Sequence, residues 1–522
     1  MITTESGNTG RPFRSKKGRQ ILGSLRSSFD PVCLFSGLIL FFIVPTFLFF
    51  SVENQKGIDL SLARISVGAL LRNKIVKQAT RQRPSNPYEL KYGANHTVTI
   101  DEVVDVLSAF LTGLRDKWSQ RQENSYTYHD VWYDYHAVAV EHLIPFDAYY
   151  LAHMPTRRDD DSIFVSMASY RDEYCMETLE GAYSNSENPA QLNIGIVQQN
   201  CNKDCMSGVL ENGRTEPVPA DPDCYTLFCA TALGQPHCDE GRVRVLRVEE
   251  SESMGPFAAR YFASKLWGGE SWMLQIDSHM TFAEHWDTQS ITMLKNAPST
   301  KPIISHYPPQ VGFDFIKGSR EATTRVCGPT FSGSQVETQI IRFEVEAEDR
   351  IFKVTPRFAP FVAAGYFVAH SGILQEVPFD PMMPWVFMGE EIIMSSRAWT
   401  HGYDIFSPTH AVVAHRYVRN HKPKYWETVG RRFWDGIDTP LGDLVVNRVK
   451  YQLGYPESAR DMIQTKSVLT AVEKYSMGKV RPLKDYIKII GLDVVRKEVT
   501  ITHWCETGQP PGYAKNLTYL YN

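Results

Sequence analysis

A carboxylate and an imidazole stand two residues apart directly after an apolar segment, in Asp277-Ser278-His279. The preceding run, Trp272–Ile276, predicts a buried strand, and side chains two positions apart in a strand lie on the same side. Asp277 and His279 are therefore expected to converge on one divalent cation. Such a cation keeps positive charge and open positions, so it can hold a diphosphate and stabilise its charge as it departs. Taken alone, the pattern also fits ordinary surface or core residues. Its position directly after a predicted strand favours the metal site.

The surrounding segment alternates short apolar runs with helical patterns. The predicted strands are Ser162–Ala168, Leu192–Val197 and Arg242–Val248, and the predicted helices are Glu173–Ser186 and Pro256–Trp267. Strands that alternate with helices predict an α/β sheet, with ligands at the carboxyl ends of strands. No GxxxxGK[ST] or strand-linked GxGxxG motif occurs, so the familiar nucleotide loops are absent.

Longer segments around the Asp-x-His pair resemble a known enzyme family. They are Ser166–Asp172, Gly195–Gln199, Gly255–Tyr261, Leu274–Phe282 and Trp286-Asp287. The region resembles the N-acetylglucosaminyltransferases of glycosyltransferase family 60, which include polypeptide and Skp1-modifying enzymes. It is distantly similar to the polypeptide GalNAc-transferases. The resemblance implies an α/β fold of GT-A type, with a Rossmann-like mixed sheet flanked by helices, a UDP-sugar donor, Mn²⁺ or Mg²⁺, and retention to give an α-linkage.

The resemblance also implies a set of donor-binding residues. The turn expected to hold the uridine end consists of Ser169, Tyr170, Arg171 and Asp172. Asp172 is equally suited to cap the helix that follows. Arg260 is expected to face a phosphate or the sugar, with a surface salt bridge as the alternative. Gly365 lies in a small-residue strand where a sugar can approach the backbone closely.

The remaining candidate residues come from the C-terminal half of the similar region. Glu390 and Glu391 open a helix predicted to end at Thr400, and an acidic residue in the matching motif of the related enzymes contacts sugar hydroxyls. With Asp277 they form the catalytic set, although two first-turn carboxylates are also favoured by the helix dipole. The family pattern favours His415 as the third metal ligand beside Asp277 and His279, and His410 is the reserve.

An uncharged stretch near the N-terminus predicts a membrane anchor. The 22 residues from 31 to 52 carry no charge, and at about 1.5 Å per residue they reach roughly 33 Å, enough to cross a bilayer core. Basic residues are more numerous before this stretch than after it, so the N-terminus is expected in the cytosol and the rest in the lumen. The stretch is longer than the apolar part of a cleaved signal peptide. We therefore expect a single-pass type II protein of the Golgi or ER membrane.

This anchor divides the chain into five predicted regions. They are a cytosolic tail (1–30), the signal anchor (31–52), a lumenal stem with a helical and aromatic segment (53–160), the catalytic domain (161–495) and a C-terminal tail (496–522). Five cysteines crowd between 201 and 238, within a Cys-rich insertion at 200–240. In an oxidising compartment they predict disulfides of undetermined pairing, and their spacing matches a zinc site poorly. Sequons at Asn95 and Asn516 agree with a lumenal address.

Composition sets the outer limits on function. The chain has 522 residues, of which 43% are hydrophobic, and a net charge of −4. It can therefore build a large core, and it offers no basic excess for nucleic acid. The sequence predicts a transferase that moves GlcNAc from UDP-GlcNAc to a Ser or Thr hydroxyl of a secretory polypeptide; its oligomeric state stays open. The alternatives are a membrane-anchored relative that binds sugar or polypeptide without turnover and an Asp/His metallohydrolase of phosphoesters, for which the histidines show no bimetal spacing.

Overall fold

The computed structural model describes most of the chain beyond residue 85. The described ranges are 86–120, 127–208, 213–318, 323–331, 340–344, 347–349, 355–419, 422–428 and 440–500. The predicted cytosolic tail, the anchor at 31–52 and the sequon at Asn516 lie outside them. Among the helices within these ranges, none has the length and apolar character that a membrane crossing needs.

Strands account for the centre of the described structure. In chain order they are β1 (Ile163–Tyr170), β2 (Leu192–Asn200), β3 (Val243–Glu249), β4 (Trp272–Asp277), β5 (Met280–Phe282), β6 (Pro302–Ser305), β7 (Thr323–Arg325), β8 (Gly328–Thr330), β9 (Arg342–Glu344), β10 (Ala347–Asp349), β11 (Arg357–Phe358), β12 (Tyr366–His370), β13 (Asp404–Ser407), β14 (Val413–His415), β15 (Leu492–Asp493) and β16 (Glu498–Val499). Eight of them form one mixed sheet in the order β11-β13-β6-β12-β4-β1-β2-β3. The predicted α/β class and the four predicted strands are confirmed, with ends shifted by up to three residues.

The direction of the strands determines where the site lies. β1 pairs in parallel with both β2 and β4, and β2 pairs in parallel with β3. β12 runs antiparallel between β4 and β6. The carboxyl ends of β1 to β4 consequently meet at one edge of the sheet, where an α/β fold places its ligands.

Helices cover the sheet and fill the connections. In chain order they are α1 (Pro87–Tyr92), α2 (Ile100–Ser119), α3 (Tyr128–Glu141), α4 (Leu143–Ala152), α5 (Cys175–Ser184), α6 (Cys224–Cys229), α7 (Gly234–Asp239), α8 (Gly255–Ser264), α9 (Trp286–Asn296), α10 (Phe315–Gly318), α11 (Ile373–Glu376), α12 (Glu390–Thr400), α13 (Pro440–Leu453) and α14 (Leu483–Ile489). The Thr99 hydroxyl accepts a bond from the Glu102 amide and the Glu102 carboxylate accepts one from the Thr99 amide, a capping box that begins α2. The predicted helix from Glu390 to Thr400 is confirmed as α12.

The helices α1 to α4, from the predicted stem, pack onto the same hydrophobic core as the sheet. Phe110, Trp132 and Phe146 are fully buried there. The indole Nε1 of Trp132 donates to Ser467 Oγ over 2.7 Å. These contacts show that residues 86–120 and 127–152 are an integral part of the unit that contains the sheet, whereas the stem's first residues lie outside the described ranges.

Disulfides organise the Cys-rich insertion. They join Cys175 to Cys224, Cys201 to Cys205 and Cys229 to Cys238. The prediction of disulfides is confirmed, and these six sulfurs are not zinc ligands. The first bridge ties the start of α5, just beyond β1, to the insertion.

Candidate active site

Two short strands bring the three predicted metal ligands together. Asp277 is the last residue of β4, and His279 directly precedes β5. β5 pairs antiparallel with β14, in a register that sets His415 opposite Met280. His415 therefore lies beside His279, although 136 residues separate them along the chain.

The potential ligand atoms of this cluster lie close enough together to bind one metal ion. His415 Nε2 is 3.1 Å from Asp277 Oδ2 and 3.0 Å from His279 Nε2. One carboxylate oxygen and two imidazole nitrogens, all within 4.8 Å of one another, suit a divalent transition metal. The Nδ1–H of His279 donates to Asp172 Oδ2 over 2.5 Å, which leaves its Nε2 as a lone-pair donor. The residues present therefore fit the predicted metal.

His410, the reserve ligand, lies away from this cluster. Its Nε2 is 2.6 Å from Gln289 Oε1, and its Nδ1 is 2.9 Å from Thr409 Oγ1. Both ring nitrogens are thus engaged by other polar groups.

The buried guanidinium of Arg260 links the cluster to α12. Its Nη2 donates to Asp277 Oδ1 over 2.7 Å, and its Nη1 donates to Glu390 Oε2. Burial acts to raise the pKa of Asp277, but the hydrogen bond from His415 and the charge of Arg260 outweigh it and hold the pKa well below its usual range. Asp277 is therefore an ionised carboxylate with one oxygen fixed by Arg260 and the other turned towards the histidines.

Gly365 adjoins the same carboxylate. A Cβ at this position would lie 3.0 Å from Asp277 Oδ2. Gly365 was predicted to let a sugar approach the backbone. In the structure, the missing side chain leaves room for the Asp277 carboxylate.

A cavity of about 490 Å³ opens on the cluster. Glu390 and Glu391, the first two residues of α12, line it together with Asp277, His279 and His415. Glu390 Oε1 is buried and has no hydrogen-bond partner among the described residues, so a residue of the cavity wall carries an unsatisfied acceptor.

The neighbouring carboxylate, Glu391, is fully engaged. It accepts from the Ala364 amide at 2.9 Å and from the Tyr307 hydroxyl at 2.7 Å. Burial raises the pKa of Glu391 to about 7, because these two hydrogen bonds only partly offset the loss of solvation. Glu391 can therefore exchange a proton near neutral pH.

The structure separates the four residues of the predicted uridine turn. Tyr170 lines the cavity. The Arg171 guanidinium is buried instead and donates to Asp221 at 2.8 Å and to Glu250 at 3.3 Å. Ser169 is buried in β1. Asp172 faces His279, and the contact of all four residues with uridine stays a prediction.

Sequence reasoning missed several residues of the cavity wall, including Tyr307 and Arg419. Tyr307 follows β6 and holds Glu391, and Arg419 lies four residues beyond His415 and donates to Asp172 over 3.1 Å. The only available signal was position, since Tyr307 is the second residue after the end of β6 and Arg419 lies four residues beyond the candidate ligand His415.

Comparisons with known proteins bear on this arrangement. A family model described as glycosyltransferase (GlcNAc) matches residues 162–496. No curated protein matches the chain. Among solved structures, GalNAc-T7 with UDP, GalNAc and Mn²⁺ is 14% identical, with a TM-score of 0.38, over 65% of this chain and 60% of that one. TarS 1–349 of S. aureus in complex with UDP-GlcNAc is 13% identical, with a TM-score of 0.31, over 64% of this chain and 89% of that one.

Proposed function

The chain belongs to the glycosyltransferase (GlcNAc) family, and from that premise we propose that it transfers N-acetylglucosamine from UDP-GlcNAc to a polypeptide hydroxyl. The proposal includes a GT-A type fold, a divalent cation, retention to give an α-linkage, and membership of glycosyltransferase family 60. The observation that carries it is the convergence of Asp277, His279 and His415 on the wall of the cavity.

The metal-binding part of the proposal rests on these three side chains. They would hold Mn²⁺ or Mg²⁺, which supplies positive charge to a diphosphate leaving group. Arg260 fixes the carboxylate of Asp277, and its buried position prevents that oxygen from rotating away. The chain's contribution to catalysis is then mainly positioning and charge stabilisation.

Glu390 supports the sugar-binding part. Its free oxygen needs a hydrogen-bond donor when the cavity is filled, and a sugar hydroxyl supplies one. Glu391 and Tyr307 form the adjacent wall and hold the Ala364 backbone next to Gly365. In the proposed reaction the bond from the anomeric carbon to the diphosphate breaks and UDP departs, the acceptor oxygen forms its bond on the same face of the ring, and the hydroxyl proton passes to the departing diphosphate.

The proposed acceptor and cellular location rest on the sequence. The anchor predicted at 31–52, with a lumenal catalytic region, favours Ser or Thr of secretory polypeptides and a Golgi or ER location. The three disulfides support an oxidising compartment.

A donor and acceptor screen tests the proposal. Full-length protein in detergent is incubated with Mn²⁺ and with UDP-GlcNAc, UDP-GalNAc or UDP-glucose, and with a peptide rich in Ser and Thr. We expect UDP release and a peptide mass gain of one N-acetylhexosamine with UDP-GlcNAc. An otherwise identical peptide with Ala at every Ser and Thr is the acceptor control, and Asp277→Asn is the enzyme control.

Each outcome of the screen has one meaning. Transfer that survives in Asp277→Asn contradicts the assigned metal site, and saturable donor binding without UDP release indicates a non-catalytic relative. Preference for UDP-GalNAc contradicts the donor assignment. The anomeric proton coupling in the NMR spectrum of the product separates an α-linkage from a β-linkage.

A further inference from the structure

We propose that Asp172 is a positioning residue that holds His279 in the tautomer and orientation needed to bind the metal. This inference rests on the proposed metal-dependent function and adds a role that the predicted uridine contact of Asp172 does not include. Asp172 lies in the connection that follows β1, 107 positions before His279 in the sequence.

The contacts of Asp172 point to this role. The carboxylate is buried, and its Oδ2 accepts from His279 Nδ1 at 2.5 Å and from Ser278 Oγ at 2.6 Å. Arg419 Nη1 donates to the same oxygen at 3.1 Å, and the Tyr174 amide donates to Oδ1 at 3.0 Å. Two of the four donors therefore belong to the segment that carries the metal ligands, and the other two fix the carboxylate itself.

The sheet explains how the contact arises. β1 and β4 are parallel neighbours, and their register pairs Ala168 with Asp277. The residues that follow each strand consequently leave the sheet at the same edge, side by side. This brings Asp172, four residues beyond Ala168, to the ring of His279, two residues beyond Asp277.

A neutral imidazole carries one N–H, and the position of that proton decides which nitrogen can bind a metal. A carboxylate at Nδ1 favours the Nδ1–H form, which leaves the lone pair on Nε2. The Nε2 atom of His279 is the one that faces His415 and the cluster. Carboxylate partners of this kind orient ligand histidines and increase their basicity.

His415 provides an internal contrast. Its Nδ1 is buried and has no hydrogen-bond partner among the described residues. Its ring packs instead against Tyr417, with the ring centroids 4.2 Å apart. Of the two histidines in the cluster, His279 is thus the one whose Nδ1 is held by a carboxylate, whereas His415 contacts Asp277 only through Nε2.

Asp172→Asn tests the inference through Mn²⁺ affinity, which is measured by electron paramagnetic resonance titration of the full-length protein without any substrate. An amide here must turn its NH₂ either towards the Tyr174 amide, where two donors clash, or towards Nδ1, where it favours the wrong tautomer. We expect the dissociation constant for Mn²⁺ to rise roughly 10- to 100-fold.

The matched control is Asp287→Asn. Asp287 is also buried and accepts from Ser186 Oγ at 2.6 Å and from the Glu187 and Asn188 amides at 2.9 Å. It lies outside the cavity wall. We expect this control to lose thermal stability and to keep the wild-type affinity for Mn²⁺.

A double-mutant cycle separates positioning from general damage. In His279→Gln the ring that Asp172 orients is gone, so adding Asp172→Asn is expected to change Mn²⁺ affinity by less than about twofold. Equal losses in both backgrounds would overturn the inference. Should Asp172→Asn fail to fold, Asp172→Glu keeps the charge that pairs with Arg419 but displaces the oxygen from Nδ1, and it is expected to weaken Mn²⁺ binding.

The outcomes distinguish this inference from the proposed function. Wild-type protein that binds no Mn²⁺ contradicts the metal site itself. Wild-type protein that binds Mn²⁺, together with a folded Asp172→Asn or Asp172→Glu of unchanged affinity, contradicts only the role of Asp172.

Discussion

Two buried polar clusters use similar residues for opposite purposes. Asp147 on α4 has a side chain that is 0% exposed, and it accepts from Tyr261 at 2.8 Å, from Lys265 at 2.8 Å and from Tyr475. Asp277 has a side chain that is 25% exposed and opens on the cavity. Each carboxylate has a cationic partner, so residue type does not separate them. What separates them is access, because the Asp147 cluster is closed and the Asp277 cluster keeps ligand atoms available.

The largest expected effect is on turnover. Asp277→Asn removes the charge that holds the cation, while Arg260 keeps its ion pair with Glu390, so kcat should fall by at least roughly 1,000-fold. The melting temperature should change little, because the side chain borders an open cavity. UDP-release kinetics and a thermal melt on the same preparation measure both. A melting temperature that collapses along with activity would make Asp277 structural and remove the contrast with Asp147.

The reverse pattern is expected at the closed cluster. Asp147→Asn leaves Lys265 as a buried charge without its carboxylate, which costs about 3 to 5 kcal/mol of stability. Denaturant unfolding measures this loss, while kcat per folded molecule at low temperature should remain near that of the wild type. A selective fall in kcat with unchanged stability would show that the N-terminal helices take part in catalysis.

The closed cluster could not be predicted from the sequence. Asp147 and Tyr475 are 328 positions apart, and the apolar stripe of α2 indicates a buried face without naming the surface that covers it. The same limit explains Arg171, whose partner Asp221 lies in the Cys-rich insertion. Long-range pairing of this kind depends on the folded topology, which local periodicity does not contain.

The open cluster was predictable in part. Asp277 and His279 follow from a strand pattern with a period of two, and the resemblance supplied His415. The structure adds the reason, since the register of β5 with β14 sets His415 beside the pair. Asp172 was assigned to the donor, although adjacent parallel strands must bring their carboxyl ends together. The strand order that makes β1 and β4 neighbours was the missing information.

The raised pKa of Glu391, a carboxylate of the open cavity, predicts that the stability of the protein depends on pH. Its pKa is raised to about 7, so the folded protein binds a proton more tightly than the unfolded chain does. The stabilising effect of that proton is complete below the unfolded pKa of about 4.5 and is lost as the pH rises through about 7. The wild type should therefore lose up to about 3 kcal/mol over this window relative to Glu391→Gln. Denaturant unfolding of both proteins between pH 4 and pH 8 measures the difference, and parallel profiles would contradict the raised pKa.

Glu390 tests whether an unsatisfied oxygen marks function. Glu390→Gln keeps the shape but weakens both the ion pair with Arg260 and the acceptor offered to the sugar. We expect kcat/KM for UDP-GlcNAc to fall roughly 100-fold. Thr288→Ala, at a half-buried site away from the cavity, serves as the control and should match the wild type. If Glu390→Gln loses activity only through weaker Mn²⁺ binding, Glu390 acts by holding Arg260 and does not contact the sugar.

The smallest expected effect concerns room around the open carboxylate. In Gly365→Ala the new Cβ would lie 3.0 Å from Asp277 Oδ2, so one of the two must shift by a few tenths of an ångström. Because misplacement on this scale weakens positioning rather than removing a group, we expect a roughly tenfold loss of kcat with a modest rise in the Mn²⁺ dissociation constant. Gly241→Ala, where a Cβ meets nothing within 4 Å, is the control for glycine replacement at an unrelated turn. Its positive φ of 70° costs stability but leaves the cavity untouched. Equal kcat values for the two variants would mean that the Asp277 carboxylate tolerates displacement. In that case only the two histidines of the open cluster would need exact positions.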